Sequence, residues 1–90
     1  MDLQTLENQV KDVISEVAKV DPAKLNVDAN IYETYGVDSL MAVRAISSLD
    51  VQFDIEIPEE RVQNVRSIRE LVEIVKEELE KKGAPSPIAE

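Results

Sequence analysis

The chain has 90 residues, enough for one domain with a small core. Its 19 acids against 10 bases leave a formal charge of −9, which repels phosphate backbones and argues against a nucleic-acid partner. Histidine and cysteine are absent, so disulfides, thiolate chemistry and every metal site built on those ligands are excluded, and no metal is expected.

Aromatic residues make up only 3% of the chain, so the core is built mainly from Val, Ile and Leu. "MDLQTLENQV" lacks the basic and apolar regions of a signal peptide, and no apolar run reaches membrane-spanning length. A cytoplasmic monomer without a membrane segment is expected.

From Leu3, the apolar residues Leu6, Val10, Val13, Ile14 and Val17 recur every three or four positions, which predicts a helix over residues 3–19 with one buried stripe. "DPAKLNVDANIY" breaks that pattern, because Pro22 disfavours helix at the residue before it and Asn26, Asp28 and Asn30 are turn formers. A long loop follows. Within it, Asn30 and Glu33 have capping-box spacing, so a brief helical turn is expected there, with Ile31 and Tyr35 inward and Gly36 ending it at positive φ. Asp38 then caps a second long helix, since its carboxylate can accept a free amide of the next turn and complements the helix dipole. Leu40, Val43, Ile46 and Leu49 mark the expected buried face, and Ala42, Ala45, Ser47 and Ser48 let neighbouring helices approach.

Phe53, Ile55 and Ile57 alternate with Asp54 and Glu56, but no second such segment exists to pair with, so they read as an extended connector. Pro58, Glu59 and Glu60 predict a short third helix near residues 58–64. Ser67 and Glu70 form a full S-x-x-E box ahead of Ile68, Leu71, Val72, Val75 and Leu79, the stripe of a last long helix. Glu77 with Lys81 and Glu78 with Lys82 are i,i+4 pairs worth about 0.2–0.5 kcal/mol each. Gly83 is expected to stop that helix, leaving residues 83–90 as a flexible tail. The fold class is therefore all-α: a small four-helix bundle of three long helices and one short third helix, with a long loop between the first two, in a domain of residues 1–82.

Catalysis by this chain is disfavoured. A nucleophilic serine needs a base, and the usual one is missing. The nucleophile elbow needs glycines flanking Ser39 at positions held by Val37 and Met41. "NVDANI" starts like a calcium loop, but Ile31 stands where the loop needs glycine and Val37 where it needs glutamate. Phosphate-loop and dinucleotide-binding glycine patterns are absent. Ser39 remains as a hydroxyl at a helix N-terminus, beside free amides and in a field that favours an anionic ester.

The block "GVDSLMAV", with "FDIEIP" downstream and the capped "SIRELVEIV" helix, resembles the acyl carrier protein family, including its peptidyl and polyketide carriers. The resemblance covers residues 3–82. It implies that Ser39 receives 4′-phosphopantetheine from coenzyme A through a separate phosphopantetheinyl transferase, with Asp38 as helix cap and recognition point for that enzyme. It further implies a carrier, not an enzyme. Such a carrier holds acyl intermediates as thioesters and delivers them to acyl-loading and acyl-transfer enzymes of fatty-acid or related biosynthesis.

The chain departs from the fatty-acid type at Arg44 and Val51, where that pattern commonly has glutamate, and Met41 resembles polyketide and peptidyl carriers. Partner choice is accordingly expected to use Leu40, Met41, Val43 and Arg44, with steering by Asp54, Glu56, Glu59 and Glu60. Solubility is the ordinary explanation of such an acidic stretch, a docking patch the sharper one, and Arg44 reads nearly as well as a solvated helix residue. An aminoacyl or polyketide-specialised carrier, or an unmodified acidic helical adaptor, are the alternative readings.

Overall fold

A computed structural model describes residues 2–83. Three long helices, α1 (Leu3–Ala18), α3 (Ser39–Phe53) and α5 (Ile68–Gly83), are joined by segments carrying two short ones, α2 (Ile31–Tyr35) and α4 (Glu59–Val62). No strand occurs among the described residues. The all-α expectation holds, with one short helix more than the sequence suggested. The turn at Asn30 completes a five-residue helix because the Asn30 side chain accepts from the amides of both Tyr32 and Glu33, at 2.9 and 3.1 Å.

α1 packs on both α5 and α3. Its stripe of Leu6, Val10, Val13 and Ile14 is buried as the periodicity requires, against Leu49 of α3 and Ile68, Leu71 and Val75 of α5. Asp2 caps α1 through the Thr5 amide at 2.8 Å, and Lys19 ends it one residue early, in the left-handed region at φ 59°. The capping box of α5 is reciprocal. Glu70 accepts from the Ser67 amide at 3.0 Å and the Ser67 hydroxyl accepts from the Glu70 amide at 3.3 Å.

The expected buried face of α3 needs correction. Leu40 and Val43 are 63% and 58% exposed, and the face that meets the core is Ala45, Leu49 and Phe53, flanked by half-buried Met41, Ala42 and Ile46. The helix is apolar on more than one side, so periodicity alone could not choose between stripes. The small Ala42 and Ala45 turn inward because they let α3 come close to its neighbours.

The connector also starts later than expected, since Phe53 is the buried last residue of α3 and Asp54 caps the helix at φ 54°. The Asp50 carboxylate then accepts from the Ile57 amide at 3.1 Å, folding the segment back so that Ile57 is buried. Pro58 is the N-cap of α4 rather than its first residue, and α4 is shorter than residues 58–64. Gly83 lies inside α5 as its last residue, and the rest of the expected tail, residues 84–90, lies outside the described residues.

Neither i,i+4 pair predicted within α5 forms: Lys81 pairs instead with Glu78 at 3.2 Å, and the other partners make tertiary ion pairs. Glu77 faces Arg61 of α4 at 2.7 Å, and Lys82 reaches Asp54 at 2.8 Å. Hydrogen bonding to Lys82 and Arg61 holds the carboxyls of Asp54 and Glu77, respectively, below the usual carboxylate range. The long loop is tied down as well: the Ile31 amide donates to the Arg66 carbonyl at 2.8 Å, and the Arg69 amide to the Val27 carbonyl at 2.9 Å.

The corrected face of α3 gives a direct test by urea unfolding. Leu49→Ala lowers stability by about 2–5 kcal/mol, as for a buried leucine, whereas Leu40→Ala stays within about 0.5 kcal/mol of the parent.

Candidate functional site

The site is built where α2 ends and α3 begins. Gly36 closes α2 at φ 68°, and a Cβ there would meet nothing within 4 Å, so the position demands glycine for its backbone conformation rather than for space. Val37 is buried and pins the turn to the core, its amide donating to the Ile31 carbonyl at 3.3 Å. Asp38 follows in extended conformation, with its carboxylate accepting from the Met41 amide at 2.9 Å. That bond starts the helix and engages one oxygen of the carboxylate nearest in sequence to Ser39 in capping.

Ser39 is the first residue of α3 and is exposed. Its side chain borders a groove of about 470 Å³ between α3 and α4, whose walls include Tyr32, Val43, Ile46, Glu59 and Val62. A smaller apolar crevice behind it, lined by Ala42, Ile46, Val62 and Leu71, leads towards the core. Ser39 also lines a second, adjoining groove with Tyr32, Glu33, Gln63 and Arg66.

The residues singled out from the sequence do not form one patch. Ser39, Val43 and Glu59 meet at the first groove, and exposed Leu40 follows Ser39 on the first turn of α3. Met41 packs partly against the core, and Arg44 is exposed on α3. Asp54 and Glu56 border a separate groove with Glu78 and Lys82, and Glu60 another with Arg61, Glu70 and Glu73. Tyr32, Gln63 and Arg66 were missed by the sequence reading. Tyr32 follows a capped turn that marks it as ordered, but nothing in the spacing of Gln63 or Arg66 points back to Ser39.

Comparison with known proteins agrees with this arrangement. The family model described as "Phosphopantetheine attachment site" matches residues 8–75. The acyl carrier protein of Bdellovibrio bacteriovorus is 36% identical over 75 residues, covering 83% of this chain and 91% of the relative. That of Syntrophobacter fumaroxidans is 30% identical over 71 residues, 79% and 88% of the two chains.

The chain belongs to the acyl carrier protein family. It is therefore a carrier rather than a catalyst, and its cofactor is 4′-phosphopantetheine. The geometry fits such a group. An exposed hydroxyl sits at the positive end of a fifteen-residue helix, where a phosphodiester is favoured, and adjoining grooves have room for an extended arm. Among the described residues, no helix is long and apolar enough to cross a membrane.

The left-handed turn ahead of Asp38 is a point of sensitivity. Gly36→Ala costs about 1–2 kcal/mol in thermal or chemical unfolding, and Gly36→Asn costs less because asparagine tolerates that backbone region.

Proposed function

We propose that Ser39 is the attachment point of 4′-phosphopantetheine, in a carrier unit spanning residues 1–82 that delivers acyl groups to enzymes of fatty-acid or related biosynthesis. The observation that carries this reading is the Asp38–Met41 cap, which leaves Ser39 exposed at the start of α3 on the edge of two adjoining grooves.

Loading needs a partner. Membership of the family implies that the base and any metal come from a phosphopantetheinyl transferase, in keeping with a chain that has no histidine or cysteine. The Ser39 oxygen forms a bond to the pantetheine-side phosphorus of coenzyme A, the pyrophosphate bond breaks, adenosine 3′,5′-bisphosphate leaves, and the hydroxyl proton passes to the transferase. Once bound, the cofactor supplies the terminal thiol that holds cargo as a thioester, which this cysteine-free chain cannot supply itself. The chain's own contributions are to present the hydroxyl, to stabilise the anion at the helix terminus, and to offer a surface to each partner in turn.

That surface supports a specialised cargo, polyketide or aminoacyl, as the second reading. Exposed Leu40, Val43 and Val51 give α3 an apolar outer face, with Arg44 among them. Both acids on this stretch, Asp38 and Asp50, are bonded to backbone amides. Docking then relies on apolar contacts at Leu40, Val43 and the exposed part of Met41, while Arg44 disfavours partners that expect an acid there. Glu59, beside Ser39, is best placed to steer, followed by Glu56 and Glu60; Asp54 is partly neutralised by Lys82.

Two experiments check these readings. Incubation with coenzyme A and a broad-specificity transferase adds one phosphopantetheinyl group to the intact mass of wild type and none to Ser39→Ala; a wild type that stays unmodified is the behaviour of a helical adaptor. Arg44→Glu changes the rate and salt dependence of at least one cognate acyl-transfer partner by several-fold, as loss or reversal of an interfacial charge does; unchanged kinetics with every partner make Arg44 a solvated residue.

A further inference from the structure

We propose that Arg66 is a positioning residue for the phosphodiester at Ser39, a role that rests on Ser39 being the attachment point. Ser39 and Arg66 line one groove of about 430 Å³ with Asn30, Tyr32, Glu33 and Gln63, and Arg66 is the only cation on its walls. The side chain is already held in place. Its Nη1 donates to the carbonyls of Gln63 and Val65 at 2.9 and 3.2 Å, and its guanidinium carbon lies 6.0 Å from the centre of the Tyr32 ring. The backbone is fixed too, with the Arg66 amide donating to Glu70 at 2.8 Å and its carbonyl accepting from Ile31 at 2.8 Å.

What this arrangement lacks is an anion. Arg66 makes no ion pair among the described residues, as is also true of Lys19, Lys24, Arg44 and Lys76, but it alone of these lines a groove with Ser39, and its Nε and Nη2 have no protein acceptor there. Glu33 borders the same groove, but its carboxylate accepts from the Asn30 side-chain amide at 3.3 Å. A phosphodiester on Ser39 therefore enters a groove with one acid and one ordered guanidinium whose remaining N–H fork matches two phosphate oxygens. Arg66 would offset the repulsion from Glu33 and hold the phosphodiester on its side of the groove. Because the groove is open to solvent, the contact is modest and weakens with salt.

The test uses ¹⁵N-labelled protein before and after conversion with coenzyme A and a transferase, with loading at Ser39 verified by mass. On loading, the Arg66 Nε–Hε resonance shifts and its solvent exchange slows by about two- to fivefold, the range of an exposed charge-assisted contact. Arg61, already held by Glu77 at 2.7 Å, is the internal reference and stays unchanged. In ³¹P spectra of the loaded protein, Arg66→Gln moves the phosphodiester signal towards that of the free cofactor, while Arg66→Lys moves it less. An Arg66 signal identical before and after loading overturns the proposal while leaving Ser39 as the attachment point; a chain that cannot be loaded at Ser39 overturns both. The wild-type comparison needs no variant, so a folding defect in Arg66→Gln cannot decide the outcome.

Discussion

One hydrogen bond, from the Met41 amide to the Asp38 carboxylate at 2.9 Å, fixes where α3 begins, and the rest of the site follows from that start. A helix beginning at Ser39 puts the hydroxyl on the first turn, where backbone amides are unpaired and the dipole is positive. The same register carries Ala45, Leu49 and Phe53 into the core and leaves Leu40 and Val43 outside. Gly36 and Val37 make that start reproducible, one by adopting the left-handed turn and the other by anchoring it in the apolar interior.

The charge of −9 is organised by the fold rather than merely tolerated. Asp2, Asp21, Asp38 and Glu70 accept from backbone amides at helix or turn starts, and Asp50 folds the connector back onto α3. Asp28, Asp54 and Glu77 pair with Arg69, Lys82 and Arg61 across segment boundaries. These exposed pairs individually contribute little stability, but they hold the connecting segments where the core needs them. Among the charges without such a partner, Glu59 and Arg66 line grooves with Ser39, and Arg44 lies on the outer face of α3.

Much of this was legible in the sequence because it depends on local chemistry. Caps at Asn30, Asp38 and Ser67, the glycine at position 36 and the stripe of α1 are short-range features, and each lies where its residue type demands. Contacts between segments were not legible. The stripe of α3 was assigned by spacing to Leu40, Val43, Ile46 and Leu49; Leu49 is buried and Ile46 half-buried, but the helix is rotated so that Ala45 and Phe53 complete the core face and Leu40 and Val43 lie outside. Lys82 was assigned to Glu78 by helical spacing, but Asp54 comes within 2.8 Å only after the connector folds back. Arg66 stands 27 positions after Ser39, and only the docking of the loop on the start of α5 brings the two to one groove.

The central claim is a covalent one, and peptide mapping of the protein purified from its own cells tests it most directly. The account predicts that the proteolytic fragment containing Ser39 carries the phosphopantetheinyl mass on that residue, with fragments containing Ser15, Ser47, Ser48 or Ser67 unmodified at those positions. A bare Ser39 throughout the purified population, or the same group found on another serine, contradicts it.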